Sequence, residues 1–198
     1  MRIGEIIETR STGFVAESYQ LHRPPALGSL VKVKVDGHRE IYAVVSYGET
    51  GGIEPGRRPV RWSTDEVFDE AIYEEHPELR RTLRTEFTAL SVGSGEGEEA
   101  RQGLPSEPPP MHYSVYLCQS EEVLRFTEEL YYLRLLLTGE GPVPKEQLVV
   151  THLREVYRAR GNDEEWLSRA AREIARLLKR DYDRLMTVLL GIEPRDGN

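Results

Sequence analysis

Two groups of arginines are the side chains best suited by type and spacing to bind a charged partner. Arg57 and Arg58 stand in a Gly- and Pro-rich stretch close to Trp62, and a guanidinium can bind a phosphate or a carboxylate through two parallel hydrogen bonds. The second group recurs at near-helical spacing late in the chain: Arg169, Arg172 and Arg176. We interpret both groups as candidate contacts to a partner or a phosphate. Ion pairing with nearby carboxylates is the alternative, and for Arg57 and Arg58 the acidic stretch that follows favours it.

The remaining residues complete no catalytic or metal-binding pattern in the sequence. The lone Cys118 has no histidine near it in sequence, and we predict a buried, inert thiol. His38 and Glu40 have the His-x-Glu spacing of zinc deaminases without the paired cysteines that complete that site. The five histidines include no pair at i, i+4, and we expect His152 at a surface or an interface. The chain contains no Gly-Lys dipeptide of a P-loop. We therefore predict no catalytic residue, no cofactor and no metal.

The composition narrows the function classes. The chain has 198 residues, a net charge of −8, 38% hydrophobic residues and 30% charged residues. An acidic total argues against a dedicated nucleic-acid-binding protein. A single cysteine excludes an internal disulfide, so the reducing cytoplasm is the expected location. No run approaches the ~18 apolar residues that a membrane helix needs, so we expect no membrane partner.

The residues above must be positioned by two kinds of structure, and the first is a sheet. Residues 2–49 contain four segments rich in β-branched and aromatic residues. Alternation is clearest in residues 30–35, where three valines face one way and two lysines the other. Asp36-Gly37 is suited to a tight hairpin turn. Residues 85–92 and 113–117 are candidates for further strands, the second of them returning to the sheet. The pattern predicts a small antiparallel β-barrel.

The second kind of structure is helical. We predict a helix inserted within residues 66–83, a helix over 120–137, another over 145–159 and a last one over 164–190. Residues 94–110 are rich in Gly, Glu, Ser and Pro, which predicts a flexible linker. The expected fold class is α+β, with an N-terminal β-barrel followed by a C-terminal α-helical bundle. The expected division is a barrel at 1–93, the linker at 94–110 and a strand plus helices at 111–191.

The predicted strands carry four short motifs: GEII at 4–7, STGF at 11–14, LGSLVKV at 27–33 and IYAVV at 41–45. With these motifs the N-terminal half resembles a HAS barrel, the small barrel of HerA-type DNA translocases and rotary ATP synthase subunits. In HerA-like proteins an ATPase domain with a P-loop follows the barrel, and this chain has no such motif. The resemblance therefore implies docking and assembly, with a translocase or a NurA-type nuclease as the partner. It assigns no catalytic residue.

Three functions remain open at this point. The first is a non-enzymatic interaction or assembly module that serves a HerA-type translocase–nuclease system in DNA processing. The second is a small-barrel nucleic-acid-binding protein that uses the arginines. The third is an enzyme with an unrecognised site. The sequence favours the first, and we expect a monomer or a homodimer because the net negative charge opposes assembly of many identical copies.

Overall fold

The computed structural model describes residues 1–54, 59–96 and 99–193. Its strands are β1 (Arg2–Arg10), β2 (Gly13–Ser18), β3 (Leu30–Asp36), β4 (Arg39–Gly52), β5 (Leu83–Glu96), β6 (Glu99–Gln102) and β7 (Ser114–Leu117). Its α-helices are α1 (Glu70–Glu75), α2 (Ser120–Phe126), α3 (Leu133–Thr138), α4 (Lys145–Ala159), α5 (Glu164–Leu177) and α6 (Tyr182–Ile192). A 3-10 helix covers Pro77–Arg81. The fold is mixed α+β, with strands mainly in the first half and helices in the second.

Six antiparallel strands close into a barrel in the order β2-β1-β7-β3-β4-β5, and pairing of β2 with β5 completes the circle. The predicted β-barrel is therefore confirmed. β7 lies between β1 and β3, so the strand predicted at 113–117 does return to the barrel. β5 covers the strand predicted at 85–92 and pairs with β4 along nearly its whole length. Closure removes the unpaired edges that an open sheet would present.

The interior of the barrel is filled by side chains that alternate along the strands. On β3, Val31 and Val33 are fully buried inside it together with Ile6, Phe87 and Val115. This is the alternation that the sequence predicts, because successive side chains of a strand point to opposite faces. Burial of these apolar side chains is the main favourable term in forming the barrel.

A second hydrophobic cluster joins the outer wall of the barrel to the helices. It combines Tyr42 and Val44 of β4 with residues of all five helices from α2 to α6. Helix α4 packs against α2, α3, α5 and α6. The turn before β3 meets α4 closely: Gly28 has φ +83°, and a Cβ there would lie 2.7 Å from the backbone nitrogen of His152. Only glycine accepts both conditions without strain.

The helical part differs from the prediction at two places. The helix predicted over 120–137 is divided into α2 and α3, and the one predicted over 164–190 is divided into α5 and α6. In the second case Leu178 is the C-cap of α5, and the Asp181 side chain accepts a hydrogen bond from the backbone N–H of Arg184 to begin α6. A local cap outweighs the continuous apolar stripe that the sequence presents across this point.

The range 94–110, predicted as a flexible linker, is also different. β5 continues to Glu96, and β6 pairs with it antiparallel. Gln102 then joins the helical part: its side-chain Nε2 donates to the carbonyls of Phe126 and Glu129, both at 2.7 Å. Its Oε1 accepts from the backbone N–H of Tyr132 at 3.0 Å. Pro105 and Pro109 are buried, so much of this range is ordered by polar contacts and proline packing that local composition does not indicate.

Candidate interaction surface

The segment between β4 and β5 carries four of the thirteen large hydrophobic residues that are exposed in the described part of the chain. We call residues 53–82 the β4–β5 insertion; the structure describes 53–54 and 59–82 of it. It contains α1 and the 3-10 helix, and none of its described residues is buried. Helices in globular proteins are stabilised chiefly by packing an apolar face. An insertion with helices and no buried residue therefore leaves apolar side chains for another surface.

These side chains surround a groove of about 500 Å³, which we call the insertion groove. Ile53, Val60, Trp62, Ile72 and Leu79 supply much of its apolar lining. Val60 is 71% exposed, Ile53 44% and Trp62 42%. Phe68, 59% exposed, adds to the apolar surface of the same insertion. Clusters of exposed large apolar residues mark interaction sites more often than single ones do.

One side-chain hydrogen bond joins the insertion to the segment between β2 and β3, and two further contacts lie beside it. The His22 ring nitrogen Nε2 lies 2.7 Å from the Tyr73 hydroxyl, in a hydrogen bond between the turn before β3 and α1. The backbone N–H of His22 donates to Thr85 Oγ1 at 2.7 Å. The rings of Trp62 and His76 are 4.8 Å apart. The groove is thus positioned by contacts that leave its apolar wall uncovered.

The insertion is also strongly acidic. Residues 62–79, which we call the acidic band, contain seven carboxylates and no lysine or arginine. They are Asp65, Glu66, Asp69, Glu70, Glu74, Glu75 and Glu78. Glu78 contacts the His76 ring at 3.4 Å, and the other six form no ion pair with any described residue. An acidic band beside an apolar groove attracts cationic side chains.

The structure describes one of the two arginine groups singled out from the sequence. Arg57 and Arg58 lie outside the described residues, whereas Trp62, near them in sequence, lines the insertion groove. Arg169 donates to Glu128 Oε1 at 2.7 Å, and hydrogen bonds from Arg169 and Arg160 hold the pKa of Glu128 below its ordinary value.

On the same helix Arg176 donates to both carboxylate oxygens of Glu173, at 2.6 and 2.8 Å. Arg172 lies with them around a shallow depression of about 360 Å³ that also includes Tyr131. Pairing with glutamates neutralises Arg169 and Arg176, as the ion-pair alternative predicted. Arg172 forms no ion pair with a described residue, and contact of this helix face with a phosphate or a partner stays a prediction.

The sequence reasoning missed a line of tyrosines and cations on the outer wall of the barrel. The guanidinium of Arg2 lies 4.8 Å from the centre of the Tyr19 ring, and the Lys34 ammonium lies 5.5 Å from that of Tyr116. Tyr116 pairs with Arg2 on one side and Lys32 on the other, so β7 brings both sides of this surface together. The alternation in residues 113–117 was the available signal, because Tyr116 has the opposite orientation to the buried Val115.

The buried polar groups are structural contacts between the barrel and the helices. The Lys32 ammonium donates to Glu40 at 2.6 Å and to Glu122 of α2. Burial opposes protonation of Lys32, yet these bonds outweigh it and raise the lysine pKa. Burial followed by the hydrogen bond to Glu40 raises the pKa of Tyr42 to about 12. A protonated lysine and a protonated phenol serve as donors here, so neither group is a nucleophile.

Of two further buried groups, Cys118 agrees with the expectation and His152 does not. Cys118 is buried, and burial raises the pKa of its thiol, as predicted for an inert residue. His152, predicted at a surface or an interface, is instead fully buried, because the turn before β3 packs closely on α4: its Nε2 is 2.9 Å from the Tyr132 hydroxyl and its Nδ1 is 2.6 Å from the Gly28 carbonyl. Burial lowers the pKa of His152 to about 4, although the bond to Gly28 opposes this. The imidazole is therefore neutral at pH 7.

Comparison with known proteins adds no identity to this geometry. No protein-family model matches the chain. A search of curated proteins found no match either. Within the described ranges there is no group of three or more His, Cys, Asp or Glu side chains placed to hold a metal ion. No helix in the same ranges is long and apolar enough to cross a membrane.

Proposed function

We propose that this chain is a non-enzymatic interaction and assembly module. The observation that carries the proposal is the β4–β5 insertion, which has defined helices, no buried residue among those described and a groove lined by exposed apolar side chains. The closed barrel supplies a rigid base for this surface. A partner that covers the groove would bury Trp62, a residue type that is enriched among energetically dominant contacts.

We propose further that the partner is a HerA-type translocase or its associated nuclease, in the cytoplasm. The support for this choice is the resemblance of the strand motifs to a HAS barrel together with the closed six-strand barrel itself. The helices from α2 to α6 would act as a bundle that stiffens the barrel wall. The chain would enter the assembly as a monomer or a dimer, since its charge of −8 opposes self-association.

Binding to the purified translocase and nuclease tests the proposal. The chain is titrated against each protein in sedimentation-velocity runs, as wild type and as the double variant Trp62→Ala/Phe68→Ala. A matched control removes two exposed apolar side chains from α6, Tyr182→Ala/Leu190→Ala, which are 72% and 61% exposed. We expect the complex to weaken at least tenfold in the first variant and to persist in the control. Equal binding by both variants would refute the role of the insertion.

A second candidate function, nucleic-acid binding, is favoured by the tyrosine and cation pairs on the barrel wall. Bases stack on aromatic rings while cations contact the phosphates, and each stacked base contributes about 1–3 kcal/mol. Tyr19, which stacks with Arg2 on this wall, is 46% exposed. Fluorescence anisotropy with a labelled oligothymidine at 50 mM salt tests it. Binding by the wild type that Tyr19→Ala/Tyr116→Ala abolishes would support this function, and equal binding by the wild type and this double variant would refute the role of the tyrosines.

A further inference from the structure

We infer that the insertion groove binds an extended segment of a partner protein in which apolar side chains alternate with lysine or arginine. The inference rests on the proposed interaction function and specifies the chemistry of the partner at that site. Three features of the insertion support it: the apolar lining, the acidic band and a short pair of strands whose outer edges have no partner.

The apolar lining requires apolar groups in the ligand. A volume of about 500 Å³ falls within the range of about 300–1,000 Å³ that is typical of ligand pockets. The groove is open to solvent along the insertion, since Val60 and Trp62 both line it and are exposed. An open groove with several apolar residues in its lining suits several side chains of one peptide better than one enclosed small molecule.

The negative charge next to the groove favours positively charged groups in the ligand. Residues 53–82 contain eight carboxylates and five arginines, a net charge of −3, and all five arginines lie outside the seven-carboxylate stretch at 62–79. One of the arginines, Arg80, lies over the Tyr73 ring at 5.9 Å. The six carboxylates that form no ion pair with a described residue are available to cations from outside. A lysine- or arginine-bearing segment therefore complements this surface, and an acidic one is repelled.

The paired strands beside the groove favour an extended conformation of the bound segment. Residues 50–52 of β4 and 83–85 of β5 pair with each other and with no other described strand, and of these six only Thr85, which contacts His22, is buried. Gly52 and Leu83, at the end of this pair, line the groove. An unpaired edge can accept a further strand, whose alternate side chains then face one surface. The apolar residues of such a strand would enter the groove, and its cations would face the acidic band.

A second copy of this chain does not meet these requirements. A twofold contact through the insertion groove would place one acidic band against another, because a symmetric interface joins the same patch on both copies. Like charges facing each other across an interface oppose binding. The occupant is therefore a different protein with a basic, apolar segment.

Synthetic peptides provide the test, with the full chain as the receptor. The probe is a fluorescein-labelled ten-residue peptide of alternating Val and Lys, and the comparison peptides alternate Val with Glu and Ser with Lys. Anisotropy at 50 mM salt should give tightest binding for the Val–Lys peptide, at least tenfold tighter than for either comparison. An unlabelled Val–Lys peptide should shift tryptophan emission to the blue, because Trp62 is exposed and the only other tryptophan, Trp166, is buried.

Two sets of substitutions separate the apolar and the charged contributions. Trp62→Ala/Ile72→Ser alters the groove, and Glu70→Gln/Glu74→Gln/Glu75→Gln neutralises three carboxylates of the acidic band. The matched control Glu99→Gln/Glu121→Gln/Glu165→Gln removes three exposed carboxylates on β6, α2 and α5. We expect the first two sets to weaken Val–Lys binding about threefold or more and the control to leave it unchanged. Circular dichroism verifies that each variant is folded.

The outcomes of these experiments distinguish this inference from the proposed interaction function on which it rests. Val–Glu binding as tight as Val–Lys binding, absence of Val–Lys binding up to millimolar concentration, or equal losses in the band variant and its control would each overturn the basic-segment inference. The interaction function would survive all three results if Trp62→Ala/Phe68→Ala still weakened binding to the full-length partner. Loss of that effect would overturn both.

Discussion

Replacement of Lys32 by methionine is the sharpest test of how the barrel and the helices are joined. Lys32 is 7% exposed on the outer wall of β3, and its ammonium bonds to one carboxylate of the barrel, Glu40, and one of α2, Glu122. Methionine preserves most of the side-chain volume and removes the cation. The two carboxylates are then left close together in a poorly hydrated place without a counterion.

The expected cost follows from the exposure of these groups. Removing one partner of a fully buried ion pair costs about 3–5 kcal/mol. The Glu40 and Glu122 side chains keep 16% and 18% of their exposure, so some hydration remains and we expect about 2–3 kcal/mol. For a chain of this size, each kcal/mol lowers Tm by about 2–4 °C. Lys32→Met should therefore lower Tm by roughly 4–12 °C at pH 7.

The stability difference between the wild type and Lys32→Met should also depend on pH, in a direction that the pKa of Glu122 determines. Burial opposes ionisation of Glu122, but hydrogen bonds from Lys32 and from the Gln119 backbone outweigh it and lower the glutamate pKa. This group stabilises the wild type above the unfolded glutamate pKa of about 4.3, and the contribution is lost as the pH falls through the lower folded value. In Lys32→Met the same carboxylate is destabilised when ionised. The difference between the two proteins should therefore shrink as the pH falls below about 4.3.

Urea unfolding followed by circular dichroism measures this difference. The control is the variant Lys32→Met/Glu40→Gln/Glu122→Gln, which removes the stranded charges and should regain much of the lost stability, because replacing both sides of a buried pair is often nearly neutral. A cost below about 0.5 kcal/mol for Lys32→Met would place it among ordinary surface substitutions and refute the reasoning. So would a control variant no more stable than the single one.

Three other substitutions or conditions test separate features. Because burial depresses the folded pKa of His152 to about 4, the contribution of this residue to stability is complete above its unfolded pKa of about 6.5 and declines below it. The free energy of unfolding of the wild type should fall by about 1.5 kcal/mol between pH 6.5 and 5. His152→Gln should remove that pH dependence in urea titrations. Gly28→Ala should cost about 2 kcal/mol or more by thermal unfolding, from strain at positive φ and overlap with α4, whereas Gly37→Ala, with no atom within 4 Å of the added Cβ, should cost less. Cys118 should react with iodoacetamide far more slowly in the native chain than in urea, because burial raises its thiol pKa; equal rates would show that the thiol is accessible.

The sequence predicted the structure correctly where the pattern of apolar and polar residues within one segment is enough to show how that segment folds. The valines of β3 alternate because one side of that strand faces a dry interior, so the barrel and its returning strand could be predicted. Lys32 and Lys34 have the same pattern on the outer face, yet α2 covers only the first of them. No local signal tells which outward side chain another element will cover.

Errors arose where distant residues decide the local structure. Residues 94–110 have a composition typical of linkers, and β6 forms there because β5 continues beside it. The insertion groove was not foreseen, because residues 66–83 predict helices without telling that none of the described side chains becomes buried. Glu173 lies three residues from its partner Arg176, whereas Glu128 lies 41 residues from its partner Arg169. Only the first pair can be predicted from helical spacing.

The position of β7 has a consequence for synthesis on the ribosome. β1 and β3 are complete by Arg10 and Asp36, and the strand that separates them ends at Leu117, about 80 residues after β3. At about 5–20 residues per second, a nascent chain spends about 4–16 s with both edges unpaired. Exposed edges pair readily with other chains during such intervals. A ribosome that pauses between codons 96 and 114 would therefore display an open barrel, the form of this protein that a chaperone has most reason to bind.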